Sequence, residues 1–551
     1  MTIGQDTRVN TTTTSDQLVP ATTALADGGW VVAWESYDQD GDSAGVYQQR
    51  FAADGNAIGS ETHVSTTTTG RQYDASITAL DGGGWVVVWQ SGSGASLYMQ
   101  RYDAQGEAEG EETKVNAITT GFTLHPTVAA LADGGFVVSW DRLLNDVMYR
   151  RFDAHGNASE DESLVNTYTT SAQSDPSISR LADGGWITTW TSVGQDGDGA
   201  GIYQQRYKAN GDTDGGETQV NTYTTSAQST SAVTALNDGG WVVSWSSSAQ
   251  DAGRDGIYMQ RYAADGATVG GEKRINGNMT ATQHASSITA LTGGGWVAAW
   301  MEFDEDANKW RCYQRAFDAD GKVILKEMQL GVSSHGEEAP AVSGLADGGW
   351  IASWGDYDPS TDEYDVRQLR FEADGQFYGA NDAPIGRDKT VRIDENYSYA
   401  FAADDFGFKD TAGEHDHFAA IVVTAAPKTG RLTLDGTIVQ TGDRIERADL
   451  GDLVYSPPKH ADGDGLAAFK FKVVDDGGTE AGGLDTAKAA NTITFNVTPA
   501  IEGTDAAETL KGTSKHDVLD GLQGDDRLIG RNGSDIFVFG KGYDHDTIGD
   551  F

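Results

Sequence analysis

The feature that most constrains this chain is a segment of ten residues that recurs seven times. It first reads LADGGWVVAW at residues 25–34 and last reads LADGGWIASW at residues 345–354. The leading aromatic residues of the seven copies are Trp30, Trp85, Phe136, Trp186, Trp241, Trp296 and Trp350. Their nearly constant spacing is typical of a repeat architecture, in which neighbouring units bury one another's apolar faces.

Each copy lies within the sequence pattern of four β-strands. In the fifth copy, the alternating run SAVTAL (231–236) is followed by the turn residues NDGG and the apolar run WVVSW, which together predict a hairpin. IYMQRY (257–262) predicts a third strand and GEKRIN (271–276) a fourth. Four antiparallel strands in about 50 residues match one blade of a β-propeller, so the seven copies predict seven blades.

The two ends of the repeat region predict a closed ring over residues 1–380. The seventh copy passes directly from FEADGQFYG into NDAPIG and lacks a fourth strand. The N-terminal segment GQDTRVN (4–10) has the fourth-strand pattern instead. We therefore predict that Thr7–Asn10 pairs with the third strand of blade seven, which leaves no free sheet edge.

The face that carries the longer connections is the predicted functional face, because recognition residues on a rigid scaffold usually lie in loops. These connections, between the second and third strands, span residues 35–45, 191–201, 301–310 and 355–365. Tyr37, Phe303 and Tyr357 are candidate ligand-binding residues, since an aromatic ring beside carboxylates can stack on and hydrogen-bond a sugar. Packing of these rings within the loops is the alternative.

Aspartates in two of these connections have a spacing that suits calcium. Asp38, Asp40 and Asp42 alternate as D-x-D-x-D, and Asp196 and Asp198 form a shorter version. Alternating carboxylates can gather the hard oxygen ligands that Ca²⁺ prefers. Hydrogen-bonded turns, which use the same residue types, are the alternative interpretation.

Residues 381–500 have a different composition and alternate as a β-sandwich does. The order NDAP, DFGF, GRLTLDG, DDGG and NTITFNV resembles the cadherin-like modules of bacterial surface and exported adhesins. The resemblance implies a spacer or adhesion unit with calcium near its end. The acidic residues that match such sites are Glu395, Asp405, Asp410 and Asp476.

The C-terminal segment repeats every nine residues. The four units are GTDAAETLK (503–511), GTSKHDVLD (512–520), GLQGDDRLI (521–529) and GRNGSDIFV (530–538). The apolar position holds Leu510, Leu519, Leu528 and Phe537; the acidic position holds Glu508, Asp517, Asp526 and Asp535. The pattern resembles the RTX, or hemolysin-type, nonapeptide. That resemblance implies a parallel β-roll over residues 501–551, in which Asp517, Asp526, Asp535 and loop carbonyls bind Ca²⁺. A glycine-rich linker is the alternative.

Composition limits the remaining function classes. The net charge of −44 disfavours nucleic acid and anionic membranes as partners. No apolar run reaches the length of a membrane span, and the single cysteine, Cys312, permits no internal disulfide. The N-terminus lacks a signal-peptide pattern, which agrees with the type I export that the RTX resemblance implies.

Three functions remain open at this point. The favoured one is a calcium-dependent binding or adhesion protein, secreted or on the surface of a Gram-negative bacterium. Its partners would be the type I secretion machinery and an extracellular glycan or surface polymer on the propeller's loop face. The alternatives are a structural matrix or surface-layer component, and a polysaccharide hydrolase with paired carboxylates at the channel. The common hydrolase motifs G-x-S-x-G and H-E-x-x-H do not occur, so no catalytic residue is predicted.

Overall fold

The computed structural model describes residues 6–550 except 93, 95, 119–120, 143–145, 252, 332–336, 379–380, 382, 396, 411–415, 460, 480–483 and 515. Regular structure in these residues is almost entirely β-strand, with two short 3₁₀ helices at Ala403–Phe406 and Arg447–Asp452. No helix in this part of the chain is long and apolar enough to cross a membrane. The chain divides into two compact units, the first of which ends at Tyr378.

The first unit consists of seven four-stranded antiparallel sheets, which confirms the predicted seven-bladed β-propeller. The first strands of the blades are Gln17–Ala24, Gln72–Ala79, Thr123–Ala130, Gln173–Arg180, Gln228–Ala235, Gln283–Ala290 and Glu337–Gly344. The second strands are Trp30–Tyr37, Trp85–Ser91, Phe136–Arg142, Trp186–Val193, Trp241–Asp251, Trp296–Asp304 and Trp350–Asp358. The third strands are Ala44–Phe51, Ser96–Tyr102, Asp146–Phe152, Ala200–Tyr207, Arg254–Tyr262, Lys309–Phe317 and Glu363–Phe371. The fourth strands are Ala57–His63, Ala108–Lys114, Ser163–Leu164, Thr218–Gln219, Thr268–Arg274, Val323–Gln329 and, for blade seven, Thr7–Arg8.

The recurring DGGW segment forms the turn between the first and second strands. Gly28 has φ of 86°, a left-handed conformation that glycine adopts without a Cβ penalty. Gly29 lies so close to the carbonyl of Phe51 that a Cβ there would collide with it. Trp30 then stacks on Phe51 with 5.5 Å between the ring centroids. Both glycines and the tryptophan are therefore required by packing within the blade, which explains why the segment recurs.

Four of these tryptophans, Trp30, Trp85, Trp241 and Trp350, also donate hydrogen bonds to the preceding blade. The indole nitrogen of Trp85 donates a hydrogen bond of 2.9 Å to Gln48 of the preceding blade. Trp30 donates one of 2.8 Å to Gln368, across the junction between blades seven and one. Both indoles are fully buried, so their hydrogen bonds hold neighbouring blades together with little further loss of side-chain entropy.

The N-terminal strand closes the ring. Thr7–Arg8 pairs antiparallel with Glu363–Phe371 of blade seven. The pairing continues at Val9, whose amide donates to the carbonyl of Val366 at 2.8 Å. The side-chain oxygen of Asn10 accepts from the Val366 amide, also at 2.8 Å. Val9 is only 3% exposed, so the closing segment is anchored by apolar burial as well as by hydrogen bonds.

The connections between second and third strands are shorter than the sequence analysis predicts. Strand pairing continues to Asp304 and Lys309 in blade six and to Asp358 and Glu363 in blade seven. Most of the predicted loops 301–310 and 355–365 are therefore strand. The reason is that these segments contain aromatic residues, which pair well across antiparallel strands.

The second unit begins with a β-sandwich of two sheets. The five-stranded sheet contains, in spatial order, Lys389–Asp394, Asn491–Thr498, Gly463–Asp475, Phe418–Ala425 and Arg444–Glu446. The four-stranded sheet contains Tyr399–Ala400, Leu453–Ser456, Arg431–Leu434 and Thr437–Ile438. The core between them is rich in aromatic contacts, such as Phe401 against Phe469 at 5.6 Å. The specific likeness to cadherin modules stays a prediction.

Two parallel three-stranded sheets complete the second unit and form the predicted β-roll. One contains Ala500–Glu502, Val518–Asp520 and Ile536–Val538. The other contains Thr509–Lys511, Arg527–Ile529 and Thr547–Asp550. Leu519 and Leu528 are fully buried between the sheets, as the nine-residue period predicts.

Candidate calcium sites and ligand-binding site

The three aromatic residues predicted to bind a ligand lie at second-strand ends in blades one, six and seven. Phe303 and Tyr357 each pack edge to face on a ring of the third strand of their own blade, at 5.3 Å. Tyr37 lies instead 5.4 Å from the guanidinium of Arg71, which belongs to the start of blade two. The structure therefore places Phe303 and Tyr357 in packing roles and Tyr37 beside a charged group.

The aspartates predicted to bind calcium in blade one are held by hydrogen bonds within a turn. Asp40 accepts from the amide of Asp42 at 3.2 Å, and Asp42 accepts from the amide of Gly70 at 3.0 Å. Asp38 begins the turn with φ of 57°. The second carboxylate oxygen of Asp40 is buried and lies 3.8 Å from His63 Nε2. Burial lowers the pKa of His63, although Asp40 opposes the shift.

Blade four repeats this arrangement. Asp196 accepts from the amide of Asp198 at 3.3 Å, and Asp198 accepts from the amide of Ser226 at 3.3 Å. Among the residues that the structure describes, no three His, Cys, Asp or Glu side chains converge on a point suited to a metal ion. Calcium binding by the aspartates of blades one and four stays a prediction.

A polar cluster that the sequence analysis missed lies at the mouth of the central channel. The first strands of neighbouring blades contact one another around the ring, so they line this channel. In the six blades for which this residue is fully described, the third residue of the first strand has a positive φ and forms a bulge. These residues are Val19, Asp74, His125, Asp175, Thr230 and Ala339. Because each first strand begins at the face of the blade-to-blade connections, the bulges lie near that face.

The bulge is common to the blades, but its side chain is not. Blades two, three and four place Asp74, His125 and Asp175 there, whereas blades one, five and seven have valine, threonine and alanine. The bulge holds valine or alanine in other blades, so its backbone conformation does not require a charged side chain. Charged side chains at this position on three consecutive blades therefore indicate a binding site on one side of the channel mouth. Aligning the first three residues of these strands in blades one to five (QLV, QYD, TLH, QSD and QST) would have revealed the charged positions.

Two carboxylates, from the second strands of blades one and three, anchor this cluster, and the first is Glu35. Glu35 is 2% exposed, and its oxygens accept from Arg71 Nη2 at 2.9 Å and from the Asp74 amide at 2.7 Å. The Arg71 guanidinium lies 4.2 Å from the ring centre of Tyr73 and 5.4 Å from that of Tyr37. Arg71 is thus held between two aromatic rings by a buried acid.

Asp141 is the second anchoring carboxylate and holds His125. His125 Nδ1 lies 2.8 Å from Asp141 Oδ1 and 3.5 Å from Asp175 Oδ1. The His125 amide donates to Asp74 Oδ2 at 3.0 Å, which links the two halves of the cluster. With Nδ1 engaged, His125 presents Nε2 as the nitrogen that can meet a ligand.

The acid–base properties of the cluster are perturbed. The hydrogen bond to Asp141 outweighs the opposing effect of burial and, with the nearby carboxylates, raises the pKa of His125 to about 9. His125 is therefore an imidazolium at neutral pH. Burial raises the pKa values of Glu35, Asp74 and Asp141, although their hydrogen-bond donors oppose the shift. Such clusters occur preferentially at functional sites.

The stability of His125→Gln relative to the parent chain is expected to depend on pH. The pKa of His125 is higher in the folded state than its ordinary value of 6.5, so the protonated side chain stabilises the fold. That contribution is complete below pH 6.5 and is lost as the pH rises through about 9. The melting temperatures of the parent chain and of His125→Gln should therefore differ at pH 6 and converge near pH 10. A separation that is constant with pH would contradict the imidazolium assignment.

The acidic residues of the β-roll stack in two columns, one along each parallel sheet. In one column the amide of Glu508 donates to Asp526 at 2.8 Å, and the amide of Asp526 donates to Asp546 at 3.0 Å. In the other, the amide of Asp517 donates to Asp535 at 3.0 Å. Every acid directly precedes a strand, so the carboxylates collect at the turns between sheets.

The turns of the roll fit calcium. Asp526 is 2% exposed, and one oxygen of Asp526 and of Asp546 has no hydrogen-bond partner within the described residues. A Cβ on Gly512 would lie 2.5 Å from the carbonyl of Gly530 and 3.0 Å from Asp517 Oδ2, so both oxygens face the space that this glycine leaves open. Carboxylate and carbonyl oxygens are the ligands that Ca²⁺ prefers.

Comparison with known repeats agrees with this geometry. Residues 502–545 match the RTX calcium-binding nonapeptide repeat. The match spans four copies, and the RTX roll is therefore a calcium-binding element of a kind generally found in secreted proteins. No curated protein sequence matches the chain.

Solved structures with a similar fold include several carbohydrate-active enzymes. Polysaccharide lyase Uly1 has 9% identity and a TM-score of 0.42, covering 68% of this chain and 100% of its own. NanB sialidase from Streptococcus pneumoniae has 10% identity and a TM-score of 0.40, with 68% and 71% covered. A protein from Dyadobacter fermentans has 9% identity and a TM-score of 0.41, with 67% and 98% covered. At these scores the propeller assignment depends on the seven sheets themselves.

Asp546 extends the RTX roll beyond the last predicted unit. The strand Thr547–Asp550 that follows it pairs in parallel with Arg527–Ile529. Asp546 comes 20 residues after Asp526, whereas Asp535 comes 18 after Asp517. This two-residue insertion hid the fifth unit from a strict nine-residue period.

Two of the acids suggested by the cadherin-like resemblance are engaged within the second unit. Glu395 accepts from the amide of Ala500 at 2.8 Å. Asp405 forms an ion pair with Lys389 and accepts from the hydroxyl of Tyr399 at 3.1 Å. Calcium binding by these two residues stays a prediction.

The other two acids, Asp410 and Asp476, lie beside a buried group of oxygen atoms. Asp475 is 3% exposed and accepts from Asn381 Nδ2 at 2.7 Å, while Asp475 Oδ2 and Asn381 Oδ1 have no hydrogen-bond partner in the described part of the chain. A Cβ on Gly477 would collide with Asn381 Oδ1 and Asp416 Oδ2. Burial, reinforced by the charges of Asp416 and Asp410, raises the pKa of Asp475 to about 6. Convergent oxygens without donors suit a cation.

Proposed function

We propose that this protein is an extracellular calcium-dependent adhesion protein of a Gram-negative bacterium, exported by a type I system, whose propeller binds a glycan or surface polymer at the channel mouth. The observation that carries the proposal is the one-sided cluster of Arg71, His125 and their acids on blades one to four. The cluster combines outward donors with the rings of Tyr37 and Tyr73. Sites for sugars need both stacking surfaces and convergent polar groups.

Calcium acts, in this proposal, on the second unit and not on the ligand site. In a cytosol poor in calcium, the acidic columns of the RTX roll repel one another and the segment stays unfolded. In millimolar extracellular calcium, metal binding adds its free energy to folding. This coupling supports export of an unfolded chain followed by folding outside the cell.

The proposed ligand class is tested on a glycan array with the calcium-loaded full chain. We expect retention of a defined subset of glycans. Retention should persist in EGTA, because calcium dependence is assigned to folding of the second unit, while Glu35 and Asp141 of the channel mouth are paired with Arg71 and His125. Tyr37→Ala should weaken binding about threefold to tenfold, the usual effect of one stacking ring. Phe303→Ala, which removes a ring packed within its own blade, is the matched control.

Two outcomes would count against this function. A chain that binds no glycan or bacterial surface polymer would remove the ligand proposal. Ordered self-assembly in calcium without any ligand would favour the matrix alternative instead.

We also propose that the oxygen group around Asp475 binds calcium. At a calcium concentration about ten times the Kd, hydrogen exchange at residues 475–477 is expected to slow about tenfold. Asp475→Asn should abolish this protection, because the replacement removes one of the two oxygens without a donor. Asp464→Asn, at an exposed acid of the same sandwich, should keep it. Equal protection in both variants would refute the site.

A further inference from the structure

We propose that the ligand of the channel mouth carries carboxylate groups, and that Arg71 and His125 bind them. This inference rests on the proposed glycan-binding function and specifies the class of glycan as one that contains uronic acids. It follows from the exposure of the charged side chains: the two anchoring acids of the cluster are buried, and their cationic partners are exposed.

The difference appears in the exposure of each pair. Glu35 and Asp141, the two anchoring acids, have side chains that are 3% and 2% exposed. Their cationic partners Arg71 and His125 have side chains that are 42% and 47% exposed. Glu35 and Asp141 are covered by their own partners, whereas Asp175, beside His125, has a side chain that is 29% exposed. A molecule that enters the mouth therefore meets Arg71 and His125 before the two anchoring acids.

Both cations keep donors for a ligand. Arg71 uses Nη2 for Glu35 and its Nε is buried, so the remaining Nη hydrogens of the exposed guanidinium are the donors that a ligand can reach. His125 uses Nδ1 for Asp141, which directs the opposite edge of the ring away from that acid. A carboxylate accepts two hydrogen bonds in a plane, which matches the donors of a guanidinium and an imidazolium.

Both cations are also held in place before a ligand arrives. The rings of Tyr73 and Tyr37 lie on Arg71, at 4.2 Å and 5.4 Å from its guanidinium. The bulge backbone of His125 is tied to Asp74 by an amide hydrogen bond. Donors that are already ordered lose little entropy on binding, so they contribute more to affinity than mobile surface cations.

The strongly negative net charge of the chain does not exclude an anionic ligand. Charges farther than about 8 Å from the mouth are largely screened at physiological ionic strength. Within the mouth, Glu35 and Asp141 are already paired with cations, Asp175 lies 3.5 Å from His125, and Asp74 accepts from the His125 amide. The same pairing disfavours a metal ion, since the carboxylates that would hold it are occupied.

The test uses the full chain in millimolar calcium and soluble oligosaccharides of glucuronate, galacturonate and mannuronate. Each acid is paired with its methyl ester, which keeps the sugar and removes the charge. Titration calorimetry should show that at least one acid binds about tenfold or more tightly than its ester, the usual worth of a charge-assisted hydrogen bond. Arg71→Gln and His125→Gln should each remove most of that preference. Thr230→Ala, at the equivalent bulge of blade five, should retain it.

The outcomes separate this inference from the function on which it rests. Binding of neutral sugars or esters as tightly as the acids would overturn the carboxylate inference and leave the glycan function standing. The same holds if the acids bind but both substitutions leave their affinity unchanged. If no carbohydrate binds, both proposals fail. Arg71→Lys, which keeps the charge but loses the planar donors, should bind with intermediate affinity and guards against misfolding of the glutamine variant.

Discussion

Chelation of calcium with EGTA is expected to unfold residues 500–550 while the seven blades stay folded. Among the described residues of the roll, the fully buried apolar side chains are Val518, Leu519 and Leu528. So small an apolar core stabilises an ordered backbone only weakly, and the stacked carboxylates repel one another unless a cation lies between them. Each blade, in contrast, has a buried aromatic core that contains no calcium ligand.

Limited proteolysis followed by mass spectrometry measures this difference directly. In calcium the roll should resist cleavage, and in EGTA it should be cut first, while the β-sheet circular dichroism of the propeller largely remains. Asp526→Asn should raise the calcium concentration needed for protection, because Asp526 is a buried carboxylate with an unpaired oxygen among the described residues. Asp525→Asn changes an exposed neighbour and is the matched control. A roll that resists the protease in EGTA would contradict the coupling.

Deletion of residues 1–10 is expected to destabilise the whole propeller. The deletion removes the fourth strand of blade seven, exposes the Glu363–Phe371 edge and uncovers the apolar contacts of Val9. Loss of one buried aliphatic side chain and several backbone hydrogen bonds amounts to about 3–5 kcal/mol. The exposed edge should also promote association between molecules, since unpaired strands template further pairing.

Denaturant unfolding in calcium and analytical ultracentrifugation measure the two effects. Val9→Ala should lower the free energy of unfolding by about 2 kcal/mol. Val269→Ala, at a 42% exposed valine of another fourth strand, should change it little. A shortened protein that unfolds at the same denaturant concentration as the parent would show that the ring does not depend on this strand.

The sequence is most informative where backbone geometry selects the residue type. Gly28 and Gly29 are required by a turn and a close approach, and Trp30 by stacking, so the blades could be counted from these residues. Leu519 and Leu528 similarly reveal the roll, because every turn of it places an apolar side chain inward. In each case one physical requirement recurs at a fixed spacing.

The channel site is less visible in the sequence because its residues are exceptions to the repeat. Asp74 and His125 occupy a bulge that carries valine or threonine in other blades, so no spacing marks them. Glu35 of blade one meets Asp74 of blade two, whereas Asp141 meets His125 between paired strands of blade three, so the two contacts follow no common repeat. Single-sequence patterns describe what the blades share, whereas binding depends on where they differ.

The pairing of Thr7 with Gln368 has a further consequence for how this molecule reaches its final form. These partners are 361 positions apart, so the earliest part of the chain must wait for almost the entire propeller to be made before it finds its neighbour. Contacts of such long range form late and slowly. Until then the blades constitute an open arc, whose seventh blade keeps one strand edge unpaired.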